Sequence, residues 1–119
     1  MTVRPNIKDA TTKTLHYLYF VNIDLNTTQE IINLCKIHKV KELSLFGSFA
    51  TDDFNKDSDI DLLVEFEEID VLEYFDNFMD LKEKLEILLA RSVDLVENQA
   101  IRNPIFRKSI DRSKQLIYG

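Results

Sequence analysis

The chain has 119 residues, 45% of them apolar and 30% charged, with a net charge of −6. That length is expected to hold a single domain with no separate substrate-binding one, and the acidity argues against a nucleic-acid partner gripped through its phosphates, which needs a basic face. No apolar run approaches a membrane span, Met1–Lys8 lacks the apolar core of a secretory signal, and a lone cysteine does not fit a small secreted domain, so a cytoplasmic protein is expected.

Residues 1–26 read as an N-terminal extension, polar at first, with Leu15–Ile23 aromatic and β-branched enough for one extra strand despite imperfect alternation. The remainder, 27–119, reads as the main domain. Thr27 and Glu30 have the spacing of a capping box, followed by an apolar stripe at Ile31, Leu34, Cys35 and Val40. A helix over roughly 28–39 is predicted, with Cys35 as core filler. Lys41–Phe46 reads as a strand ending at Gly47-Ser48, and Ala50–Ser58 as polar and irregular. Ile60–Phe66 is nearly continuous in its apolar run, the pattern of a central strand covered on both faces. Leu72, Phe75, Phe78, Leu81, Leu85 and Leu88 recur at helical spacing, giving a long amphipathic helix whose stripe faces the core. Val93–Val96 is a third short strand. Asn103-Pro104 is a helix start, with asparagine as cap and proline in the first turn. That helix runs to about Lys114, and Leu116–Tyr118 closes as a short strand. The order predicts an α/β (α+β) fold: a mixed sheet of three to four strands with helices packed mainly on one face.

Three features of this chain point to chemistry. Gly47, the only glycine before the terminal Gly119, stands beside Ser48, and after ten intervening residues comes Asp59-Ile60-Asp61. Side chains two apart on a strand share a face, so Asp59 and Asp61 project together. Carboxylates held that close repel one another unless a cation lies between them. Asp94 is a charged residue inside the apolar strand Val93–Val96, and a lone buried charge needs a partner. If its strand neighbours Asp59 and Asp61, three carboxylates meet, enough to hold two metal ions about 4 Å apart across a phosphoryl displacement. Glycine lets the backbone approach a phosphate closely, and a strand-to-helix turn offers free N–H groups to an anion. The Ser48 hydroxyl adds a donor.

Leu45-Phe46-Gly47-Ser48-Phe49-Ala50, with Ser58-Asp59-Ile60-Asp61-Leu62-Leu63-Val64-Glu65-Phe66, resembles the minimal nucleotidyltransferases of the DNA polymerase beta superfamily. Val93-Asp94-Leu95-Val96 resembles that family's third carboxylate strand, and the likeness runs from about Val40 to Tyr118. It implies a polymerase-beta-like nucleotidyltransferase fold in which Asp59 and Asp61 bind two magnesium ions. It also implies that Asp94 is the third ligand and helps activate the acceptor hydroxyl, while Gly47 and Ser48 hold the triphosphate of ATP. Family members of this size resemble antitoxins paired with HEPN-domain ribonuclease toxins, and some transfer AMP to a tyrosine of the toxin. One departure stands out: the family follows Gly-Ser-x-Ala with Arg-Gly, and this chain has Thr51-Asp52.

The other polar residues read more plainly. His16 and His38 are expected to be surface or partly buried helix and strand residues, away from the carboxylates. Glu65, Glu67 and Glu68 read as a solvated strand end, and Arg102, Arg107, Lys108, Arg112 and Lys114 as a solvated basic helix face. The leading expectation is an enzyme that adenylylates a partner protein. A non-catalytic binding module, kept in view by Thr51-Asp52, is the alternative. Transfer to a small molecule such as an antibiotic is disfavoured by the lack of a second domain to hold it.

Overall fold

The computed structural model of the chain describes residues 25–47, 55 and 57–119. The predicted strand Leu15–Ile23 and most of Ala50–Ser58 lie outside the described residues, as do Ser48 and Thr51-Asp52.

The described elements follow the predicted order. They are helix α1 (Leu25–Ile37), strands β1 (Val40–Leu45) and β2 (Ile60–Phe66), helix α2 (Val71–Leu89), strand β3 (Val93–Glu97), a 3-10 turn (Asn98–Ala100), helix α3 (Pro104–Ser113) and strand β4 (Gln115–Tyr118). The sheet order is β3-β2-β1-β4. β1 pairs antiparallel with β2 and with β4, whereas β2 and β3 run parallel, with Asp61 opposite Asp94. A parallel pair needs a long crossover, and α2 supplies it.

β2 lies inside the sheet, and the pleat divides its side chains. Ile60, Leu62, Val64 and Phe66 join Ile31 and Cys35 of α1 and Leu81, Leu85 and Leu89 of α2 in the main core. Leu63 turns to the other face and packs with Phe46 and with Ile110 of α3. Two helices therefore cover one face and the shorter third helix lies on the second, and the four strands meet the expectation of a mixed sheet of three to four strands with helices mainly on one side.

Two local readings need correction. α1 begins at Leu25, two residues ahead of Thr27, so Thr27 belongs to the first turn and does not cap the helix. On α2, Leu72 is 87% and Phe75 68% exposed, although the predicted stripe put both in the core. Tyr74 and Phe78 are the residues that pack there, ringed around Phe66 at 5.6 and 6.4 Å between centroids. One residue on a helix is a rotation of about 100°, so a stripe read one position out at its start exposes two large apolar side chains.

The helix ends follow local chemistry. The Asp70 carboxylate accepts from Leu72 N–H at 2.9 Å to start α2, and Ala90 ends it in the left-handed region at φ 54°. The Asn103 side chain accepts from the N–H groups of Ile105 (2.8 Å) and Phe106 (3.2 Å), with Pro104 opening α3. Among the described residues no helix is long and apolar enough to cross a membrane.

Candidate active site

The face of β2 opposite the main core carries Asp61, Leu63 and Glu65, because these alternate with the buried residues. Asp94 lies level with Asp61 on the parallel neighbour β3, and Asp59 stands just before β2. The electrostatics register this gathering. Asp94 is pushed above the ordinary aspartate range, first by partial burial, then by the charge of Asp61 and then by that of Asp59, with Lys82 opposing.

Gly47 meets the same group from β1. The Phe46 N–H donates to the Asp61 carbonyl at 3.1 Å, which brings the end of β1 against the start of β2. Gly47 has φ +76°, and a Cβ added there would stand 2.5 Å from Asp61 Oδ2 and 3.0 Å from its Cγ. Glycine is thus required twice: once for the left-handed backbone, and once for the space that the Asp61 carboxylate occupies. The chain at Gly47 therefore leaves β1 directly beside a carboxylate.

The arrangement brings Gly47, Asp59, Asp61 and Asp94 together; Ser48 is outside the described residues. Its donor chemistry fits magnesium, a hard cation that takes one or two protein carboxylates and leaves its other positions to water and phosphate. By themselves the side chains do not form a closed cage: among the described residues, no three His, Cys, Asp or Glu groups converge tightly enough to hold an ion.

The ground around the carboxylates is more tightly tied than the sequence suggested. Glu65 is half-buried and accepts from Asn98 Nδ2 at 3.1 Å, and Lys41 lies 3.7 Å away. Arg107 in turn donates to Asn98 Oδ1 and to the Asn98 carbonyl, both at 2.7 Å. Glu65 and Arg107 therefore tie β2, the 3-10 turn and α3 into one face and are not solvated fringe, while Glu67 and Glu68 are exposed as expected.

His38 is also corrected. It is 3% exposed and set between α1 and α2, with Nδ1 2.8 Å from the Leu34 carbonyl and Nε2 2.7 Å from Asp80 Oδ2. Asn77 Nδ2 donates to its carbonyl at 2.9 Å. It locks two helices together on the far side of the sheet. His16 is outside the described residues.

A further residue, bound to the chain just before Asp59, escaped the sequence reading. Arg91, in the turn between α2 and β3, donates from Nη2 to the carbonyls of Asn55 (2.7 Å) and Ser58 (2.6 Å). The available signal was its place, an arginine three residues before a strand aspartate, and nothing in the spacing said where its side chain would reach.

A sheet of this topology with carboxylates on adjacent parallel strands beside a glycine turn defines a nucleotide-transferring class of fold, and comparison with known proteins agrees. The nucleotidyltransferase domain family matches residues 30–117, and this chain belongs to it; it is a nucleotidyltransferase. MJ0128 of Methanocaldococcus jannaschii, a candidate protein adenylyltransferase, is 40% identical over 103 residues, covering 79% of this chain and 99% of that one. The protein adenylyltransferase MntA of Thermococcus cleftensis is 38% identical over 87 residues, 66% of this chain and 85% of its own. A solved structure of a candidate minimal nucleotidyltransferase shares 28% identity at a TM-score of 0.60, over 89% of this chain and 96% of that one. The fold is also shared, at 24% identity and a TM-score of 0.55, with a complex of a tri-AMPylated Shewanella oneidensis HEPN toxin and its MNT antitoxin; the match covers 79% of this chain and 71% of that one.

Proposed function

We propose that this domain, residues 27–119 behind an extension over 1–26, transfers AMP from ATP to a hydroxyl of a partner protein, a tyrosine of a HEPN-type toxin, and thereby silences it. The observation that carries the reading is the packing of Gly47 against the Asp61 carboxylate, with Asp94 level with Asp61 across the β2–β3 pair. It joins a backbone turn suited to phosphate to a carboxylate group suited to magnesium.

Asp59, Asp61 and Asp94 would hold the magnesium ions, two in number, and Gly47 with Ser48 would hold the triphosphate. Such ions would supply charge neutralisation of the triphosphate and activation of the acceptor oxygen. The acceptor hydroxyl oxygen bonds to the α-phosphorus, the α–β bridge breaks, and pyrophosphate leaves. Asp94, held above the usual aspartate range by partial burial and then by the charges of Asp61 and Asp59, is suited to take the hydroxyl proton. Most of the work is positioning and charge neutralisation, as in phosphoryl transfer generally.

The partner reading is supported by the adenylyltransferase and toxin–antitoxin relatives, and by Val71, Leu72 and Phe75, exposed together at the start of α2. Large exposed apolar groups that share a patch mark surfaces that meet another protein. ATP as donor and a lone cysteine suit a cytoplasmic setting. A second reading, inhibition by contact alone, is favoured by Thr51-Asp52 standing where the family carries Arg-Gly.

Label transfer from ATP carrying radioactivity at the α or the γ phosphate, with magnesium, separates them. We expect α label on the partner and none with Asp59→Asn/Asp61→Asn. Full transfer by that double variant would sink the mechanism, and a partner still inhibited without label would favour the binding module.

A further inference from the structure

Asp59 lies between two fixed points. On its N-terminal side, the Ser58 carbonyl accepts from Arg91 Nη2 at 2.6 Å, and the same nitrogen reaches the Asn55 carbonyl at 2.7 Å. On its C-terminal side, the Ile60 N–H donates to the Ser92 carbonyl at 2.9 Å. Arg91 and Ser92 are consecutive, so one turn of chain holds the backbone on both sides of Asp59.

That turn is itself anchored. Ala90 and Arg91 each donate a backbone N–H to the Glu86 carbonyl, the latter at 3.3 Å. The Glu86 carboxylate accepts from the Val93 N–H at 2.9 Å, one residue before Asp94. The loop on the other side is organised as well: the Asn55 side chain accepts from the Asp57 N–H at 2.8 Å, the Ser58 hydroxyl accepts from the Asn55 N–H at 3.0 Å, and the Ser58 N–H donates to the Asn55 carbonyl at 3.0 Å. Arg91 joins this turn to the junction that carries Asp94.

We propose that Arg91 is a positioning residue that sets the spacing of Asp59 against Asp61 and Asp94, and so the affinity of the site for its divalent ions. This rests on the reading of those aspartates as metal ligands. The physical reason is leverage. Asp59 precedes the ladder of β2, so its register on the site comes from the loop before it, and that loop is tied down by a guanidinium more than thirty residues away in sequence. Partners that orient metal ligands without touching the metal are worth about 10- to 100-fold in metal affinity or activity.

The test measures Mn2+ binding by calorimetry and electron paramagnetic resonance, in the presence of an ATP analogue with a methylene α–β bridge. It compares the wild-type chain with Arg91→Ala, Arg91→Lys, Asp61→Asn and Leu85→Ala. We expect Mn2+ affinity to fall about 10- to 100-fold in Arg91→Ala and to recover in part in Arg91→Lys, which keeps the charge and donors on a stem one atom shorter. Leu85→Ala lowers stability from the far face and leaves Mn2+ affinity unchanged, which separates positioning from general loosening. If Arg91→Ala does not fold, Arg91→Lys and Arg91→Gln decide by the same readout. Wild-type affinity in the folded Arg91 variants, with affinity lost in Asp61→Asn, overturns the role of Arg91 alone. Equal binding by wild type and Asp61→Asn overturns the metal site itself.

Discussion

The two faces of the sheet are built from the same strands and do opposite work. On one, Ile60, Leu62 and Val64 of β2 are sealed under α1 and α2 with Leu81 and Leu85, and the polar groups there, such as His38 with Asp80, fasten helix to helix. On the other, alternate residues of the same strand are Asp61 and Glu65, a small apolar cluster of Phe46, Leu63 and Ile110 is buried among the described residues, and partial burial together with the charges of Asp61 and Asp59 raises the proton affinity of Asp94. The covered face supplies cohesion, and that cohesion holds the repelling carboxylates in place on the open one.

The sharpest way to break the comparison is to change the open face without touching the covered one. Gly47→Ala puts a methyl 2.5 Å from Asp61 Oδ2 and forces that carboxylate aside, and displacing a catalytic group by about 1 Å costs roughly a hundredfold in rate. Adenylyl transfer should fall by that order while the far-ultraviolet circular dichroism stays unchanged; a variant with full activity would show that Asp61 need not sit where it does. The converse change is Leu85→Ala. It removes a fully buried side chain and should cost about 2–5 kcal/mol, read by urea denaturation, with the transfer rate of the folded fraction kept.

Smaller effects sharpen the contrast. Asp94 has a raised folded-state pKa, so the stability tied to its protonated form is complete below the unfolded value of about 3.9 and is lost as pH rises through the folded value. Without metal, Asp94→Asn should therefore melt progressively higher than wild type as pH is raised from about 3 toward neutrality, and magnesium with nucleotide should narrow that gap by stabilising the wild type. Equal melting curves at every pH would remove the repulsion from the account. On the covered face, burial pushes the Cys35 thiol up to about 12. Its labelling by a thiol reagent at mildly alkaline pH should be slow in the native protein and fast only in denaturant. The smallest effect belongs to Ala90, left-handed at the end of α2: Ala90→Gly should gain up to about 1 kcal/mol, the relief of left-handed strain less the entropy glycine adds to the unfolded chain, seen as a small rise in the urea midpoint.

Much of this was legible in the chain. Ile60–Phe66 was read to its end residues because a strand covered on both faces must be apolar nearly throughout. Asn103-Pro104 was read because a cap acts through its own backbone neighbours. The family could be named because Gly-Ser, Asp-x-Asp and the Val93–Val96 strand keep their spacing, and their grouping follows from the pleat of β2. Other features were not legible. Leu72 and Phe75 follow helical spacing, yet which way the helix rolls onto the sheet is set by Phe66, Tyr74 and Phe78 packing together.

The sequence by itself determined the class of fold and singled out the candidate carboxylates, because these rest on periods of two and 3.6 residues and on neighbours along the chain. Only the tertiary structure decided that Gly47 touches Asp61, that His38 is buried between helices, that Arg107 and Glu65 are bound to Asn98, and that Arg91 holds the loop before Asp59. Each of these joins residues far apart along the chain or turns on a few tenths of an ångström, and no local pattern encodes where a long side chain ends once the elements have packed.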